Sequence, residues 1–135
     1  MRRDFRLPEA DEAYLDALGL PWDTVVDGGQ RWLIVHDWPL PPGYNHKTVR
    51  AAISIPTAYP DAPLDMVYFS PAALARVDGR SIGAVTDYPV LGQTWQRWSR
   101  HYTSSNPWRI GEDDLATHLA LIEHWLKREF TKEAA

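Results

Sequence analysis

The sequence predicts an α+β domain in which two helices bracket a four-stranded antiparallel meander. Three observations carry this reading. Four short runs rich in β-branched and aromatic residues follow one another between residues 22 and 69, each bounded by Gly or Pro. Asp27-Gly28-Gly29 between the first two runs has hairpin chemistry, because glycine accepts the positive φ of a tight turn. Near the end, Leu115, Leu119, Ile122, Leu126 and Phe130 recur at spacings of 4, 3, 4 and 4, one stripe of a helix.

The elements follow in order. Residues 8–18 read as a short helix with Tyr14, Leu15 and Leu18 on one face. Pro8 suits its first turn, Gly19 suits the left-handed position that stops it, and Leu20 can make the contact that follows such a cap. Residues 22–26 and 31–38 form the first strand pair. Trp32-Leu33-Ile34-Val35 is nearly continuous in apolar character, which predicts burial on both sheet faces. Pro39, Pro41, Pro42 and Gly43 then break the ladder. Residues 49–55 alternate apolar and polar until Pro56, and residues 64–69 form the fourth strand, stopped by Ser70-Pro71. Residues 72–107 read as a long, mostly irregular connection, packed because it holds Trp95, Trp98 and Tyr102. The closing helix is read over 113–130, with Glu112, Asp113 and Asp114 at its positive end and Lys127, Arg128 and Lys132 near its negative end. Residues 1–6 and 131–135 are expected to fray around a single domain spanning 1–135.

Composition narrows the function classes. A chain of 135 residues buries enough surface for a core without disulfides or metal. Its net charge of −4, from 14 basic and 18 acidic residues, argues against a nucleic-acid partner. The absence of cysteine excludes disulfides and CxxC metal knuckles and fits a reducing cytoplasm. No apolar run follows Arg2 and Arg3 as a signal peptide requires, and no stretch reaches the length of a membrane span. The seven tryptophans are expected to be mostly core. No cofactor is expected.

Tyr59-Pro60-Asp61-Ala62-Pro63 between the third and fourth strands, and Asn106-Pro107-Trp108-Arg109-Ile110-Gly111 before the last helix, resemble elements of the ubiquitin-conjugating-enzyme fold. More closely, the chain resembles a bacterial branch of that superfamily, the prokaryotic conjugating-enzyme-like family E. The matching runs are Trp32-Leu33-Ile34-Val35, Pro39-Leu40-Pro41-Pro42-Gly43-Tyr44, Leu64-Asp65-Met66, Trp95-Gln96-Arg97-Trp98-Ser99-Arg100-His101 and Asp114-Leu115-Ala116-Thr117-His118-Leu119. The Trp95–His101 run is the most distinctive. The resemblance implies a bacterial operon encoding a ubiquitin-like protein and an activating-enzyme-like protein, which become the expected partners.

The chain departs from the thiol-bearing members of the superfamily at their chemistry. It has no His-Pro-Asn element and no cysteine, and the stretch where the cysteine belongs is filled by Ser99, Arg100 and His101. Thiolates serve acyl transfer because they are both good nucleophiles and good leaving groups. A serine needs an adjacent base, and the one candidate is His101, two residues away on the same side of an extended segment. The leading expectation is therefore a non-catalytic binding module, a pseudoenzyme, with Tyr59, Trp95, Trp98, Arg100, His101 and Trp108 at its binding surface. The alternatives are an unconventional acyl-transfer enzyme using Ser99 and His101, and a structural adaptor with no ubiquitin-like partner. His118 and His124 lie six apart on the last helix, on different faces, so they do not form an i,i+4 metal pair.

Overall fold

Apolar side chains on both sides of one strand set the architecture. Trp32, Leu33, Ile34 and Val35 are all buried, so the sheet that contains them must be covered on both faces. The computed structural model describes residues 2–131. Helix α1 (Glu9–Leu18) precedes strands β1 (Trp22–Asp27), β2 (Gln30–Pro39), β3 (Thr48–Ser54), β4 (Val67–Ser70), β5 (Val85–Val90) and β6 (Gln93–Trp98), and helix α2 (Leu115–Thr131) follows. The strands form one antiparallel sheet in the order β1-β2-β3-β4-β6-β5. The α+β class, the meander and the bracketing helices are as the sequence predicts. The strand count is not, because the connection read as irregular contains the β5–β6 hairpin.

That hairpin has no alternating pattern to reveal it. Trp95 and Trp98 are both buried but lie three apart, so they point to opposite faces. The turn Leu91-Gly92 has φ of 53° and 74°, the geometry of a primed hairpin turn, with a leucine where glycine or asparagine is usual. Gln96 is buried between the two tryptophans because its amide reaches the Leu74 carbonyl at 2.8 Å and accepts the Trp98 indole at 2.6 Å.

One sheet face packs against the helices. Leu33, Val35, Ala51, Ile53, Phe69 and Trp98 meet Leu15 of α1 and Leu115, Leu119, Ile122 and Leu126 of α2. The other face encloses a second cluster of Val25, Trp32, Ile34, Ala52, Tyr68, Val90 and Trp95. No helix covers it. The sheet curls, so that Leu91 and Gly92 at the β5–β6 tip line one cavity with Val25, Val26 and Asp27 of β1.

Strand β2 carries a bulge. Val35 pairs with Ala51 and Trp38 with Val49, so β2 spends one more residue than β3 between the two pairs. Asp37, at φ 57°, takes up the extra residue and returns Trp38 to the helix face.

Several boundaries move for physical reasons. Helix α2 starts at Leu115 and not at 113, because Asp114 is the cap: its carboxylate accepts the Thr117 amide at 3.1 Å while Thr117 Oγ1 accepts the Asp114 amide at 2.9 Å. Strand β4 starts at Val67 because Met66 turns at φ 55°. Residues 2–4, expected to fray, run alongside β1. The Asp4 amide donates to the Thr24 carbonyl and the Thr24 amide to that of Arg2, covering the edge of β1. The expected fraying at the other end falls on 132–135, outside the described residues, and on Thr131, which ends α2.

Candidate functional site

The segment from Ser99 to Trp108 leaves β6 and runs across the start of α2. Its path is set by hydrogen bonds more than by apolar contacts. The Ser99 amide donates to the Ala84 carbonyl at 3.0 Å, extending the hairpin by one residue. The Arg100 carbonyl accepts the Met66 amide at 3.1 Å. The Arg100 guanidinium lies over the Trp98 ring and reaches Glu129 of α2 at 3.3 Å, a pair in which the glutamate is only 4% exposed.

The two catalytic candidates part company here. Ser99 opens onto a pocket of about 370 Å³ lined also by Arg100, Trp125, Arg128 and Glu129. His101 instead places Nδ1 3.1 Å from both carboxylate oxygens of Asp65, on the exposed surface. Among the described residues no hydrogen bond joins the Ser99 hydroxyl to the His101 ring. Asp65 supplies the orienting carboxylate that spacing alone left unassigned, but it holds the ring without bringing it to Ser99.

Beyond His101, the Tyr102 hydroxyl lies 2.7 Å from Nδ1 of His118, and Nε2 of His118 lies 3.0 Å from the Met66 carbonyl. A carbonyl only accepts, so Nε2 carries the proton. His118 is fully buried, and burial pushes its pKa below the ordinary value of 6.5. The neutral ring therefore accepts from Tyr102 at Nδ1. Both nitrogens are engaged, which makes His118, on α2, a fixed bracket between Met66 just before β4 and the site segment. The sequence signal for it was its place in the helix stripe: with Leu115, Leu119 and Ile122 it completes an i, i+3, i+4, i+7 set.

Trp108 closes the segment. Its indole donates to the Pro60 carbonyl at 3.2 Å, and its ring meets Tyr102 edge-on at 5.4 Å and Tyr59 at 6.3 Å. Tyr59 is itself a clasp. Its hydroxyl donates to Asp11 of α1 at 2.6 Å and accepts the Leu115 amide of α2 at 2.7 Å. Burial, first of all, raises the Asp11 carboxyl above its usual range, opposed by the Tyr59 bond. Burial likewise raises the Tyr59 phenol, aided by Asp11. At neutral pH the phenol keeps its proton and the clasp stays closed.

The model of prokaryotic E2 family E matches residues 7–129. The chain belongs to that family. Neither a curated protein nor a solved structure matches it. Family E membership places the chain among the conjugating-enzyme-like modules of ubiquitin-like pathways. In this family E chain, Arg100, His101 and Trp108 reach the surface on the segment after β6, and the partly buried Tyr59, from the connection between β3 and β4, packs against Trp108. Trp95 and Trp98, expected on the same binding surface, are 1% and 0% exposed. Trp98 lies beneath Arg100 on the helix face and Trp95 is packed into the opposite face, so neither can touch a partner without unpacking the core. Among the described residues no three His, Asp or Glu side chains converge to hold a metal ion, and no helix is long and apolar enough to cross a membrane.

Proposed function

We propose that this protein is a non-catalytic conjugating-enzyme-like module that binds a ubiquitin-like protein, an activating-enzyme-like protein, or both, in a bacterial ubiquitin-like pathway in the cytoplasm. One observation carries the reading. Where a thiol would be expected, the chain has a polar surface pinned by the Arg100–Glu129 ion pair and the His101–Asp65 contact, and it has no cysteine anywhere. Such a surface recognises without relaying an acyl group. Tyr59, Arg100, His101 and Trp108 are the contact residues, with Trp98 beneath Arg100 as a support and Trp95 buried in the opposite face of the sheet.

Calorimetric titration with the ubiquitin-like and activating-enzyme-like proteins encoded beside this gene tests it. Binding is expected to at least one, weakened about tenfold or more by combining Arg100→Ala with Trp108→Ala, since interface arginines and aromatics carry most of the binding energy. No binding to either overturns the reading.

The Asp65–His101 pair favours one second reading, in which Ser99 accepts an acyl group after the segment shifts. Incubation with activating enzyme, nucleotide and ubiquitin-like protein would then yield a hydroxylamine-sensitive adduct that Ser99→Ala abolishes. Absence of any adduct removes it.

A further inference from the structure

A second surface is the sheet face that no helix covers. Across β3, β4, β6 and β5 its charged side chains are Arg50 and Arg97. Strand alternation puts both on the face of Tyr68 and Trp95, while Asp87 of β5 stands opposite Gln96 on the other face. On β1, Asp23 and Asp27 share the open face, but both act on Arg2, and Asp23 also holds His36 at 2.7 Å. A chain of net charge −4 therefore keeps a local excess of two cations here.

Both guanidiniums are held in place without neutralisation. Arg50 lies over the Trp95 ring at 4.9 Å, and its Nη2 donates to Ser70 Oγ at 2.9 Å and to Gln93 Oε1 at 3.3 Å, acceptors that carry no charge. Arg97 lies over the Tyr88 ring at 5.1 Å and, among the described residues, meets neither a carboxylate nor a hydrogen-bond acceptor. Its Nε is buried, whereas its two terminal nitrogens, on a partly buried side chain, are open to solvent. Such a fork of donors matches a carboxylate in bidentate geometry. Asp65 is near enough to act on the Tyr68 phenol, but its carboxylate is held at His101.

Register sets the spacing. Arg50 pairs with Ser70 and Phe69 with Gln96, so Arg97 lies two strands and two residues away from Arg50, roughly 12 Å by strand geometry. An extended chain carries its first, third and fifth side chains on one side over about 13 Å. We propose that this face docks an extended acidic segment of a partner protein, with one carboxylate taken by Arg97 and a second, four residues along, by Arg50. Peptide is favoured over nucleic acid because the chain as a whole is acidic and two cations neutralise few phosphates. Because both guanidiniums are ordered beforehand, little side-chain freedom is lost on binding. The docking is independent of the contacts proposed on the Ser99–Trp108 segment, and the failure of either leaves the other standing.

The test titrates a synthetic peptide with three glutamates at alternate positions into the ¹⁵N-labelled protein at low salt. The expected result is a Kd below about 1 mM, with shifts of the Arg50 and Arg97 Nε resonances assigned through Arg50→Lys and Arg97→Lys. A peptide with glutamines in place of the glutamates is expected to bind about tenfold more weakly or worse, as is the acidic peptide to folded Arg97→Gln. Arg109→Ala, an exposed arginine outside this face, is expected to leave the affinity unchanged. Four results overturn the proposal: no Nε shift at millimolar peptide; equal affinity for the glutamine peptide; equal weakening by Arg109→Ala and Arg97→Gln, which makes the attraction general; or tighter binding of a single-stranded RNA oligonucleotide at the same two arginines, which makes nucleic acid the occupant.

Discussion

The two faces of the sheet are closed by different means. On one face, helices supply the cover, and they are locked to the sheet by buried polar clasps: Tyr59 joins α1 to α2, Tyr44 donates to the Leu126 carbonyl at 2.7 Å, and His118 bridges Tyr102 and Met66. On the other face the sheet covers itself. Trp32 meets Tyr68 edge-on at 5.0 Å, Tyr68 meets Tyr88 at 5.3 Å, and guanidinium groups form the outer layer, Arg50 at 4.9 Å from the Trp95 ring and Arg97 at 5.1 Å from Tyr88. A clasp is directional and fails when one partner is lost. A tiled aromatic face is non-directional and degrades gradually. The candidate site grows from the clasped side, where small displacements are resisted.

The largest test of this contrast compares two tryptophans three residues apart. Trp98→Ala is expected to cost about 4–5 kcal/mol in chemical denaturation, since it opens a core cavity and strips Gln96 of its donor. Trp95→Ala is expected to cost about 3 kcal/mol, because its buried indole N–H has no partner to orphan. Equal costs would erase the distinction between the faces. Next, Tyr59→Phe removes the hydroxyl shared by Asp11 and the Leu115 amide. It should lose about 2–3 kcal/mol, and amide exchange should quicken at the first turn of α2. An unchanged melting temperature would make the clasp decorative.

A smaller effect follows from His118, and its sign is fixed. Its folded pKa lies below 6.5, so the unfolded chain binds the proton more readily. Stability is therefore fully present above 6.5 and declines as the pH falls from there toward the folded value. His118→Gln should flatten that decline, as followed by thermal melts across the range. A slope identical in the variant would assign it elsewhere. The smallest effect belongs to the tiled face: Arg50→Ala should cost under about 1 kcal/mol, read from the denaturation midpoint.

The legible parts of the chain were those whose periodicity matched their burial. The α2 stripe, the Asp27-Gly28-Gly29 turn and the two-sided burial of β2 could all be read directly. The β5–β6 hairpin could not. Its outer strand is mostly exposed and contains Pro89, its turn begins with Leu91, and its inner strand buries a glutamine through tertiary bonds to a loop. At the site, the order Ser99-Arg100-His101 located the right segment but not the partners. Asp65, Glu129 and Met66 come to it from 36, 29 and 52 residues away along the chain, counted from His101, Arg100 and His118 respectively. Local spacing contains no record of such meetings.

The bulge at Asp37 gives β2 something like a reading frame. Because successive side chains alternate sides, removing that one residue would throw Trp38 through the sheet, from the helix face to the opposite one. Substitutions along this strand change what sits at a position, whereas a single deletion exchanges inside for outside. Length, more than composition, is what this stretch of chain must conserve to keep its two faces.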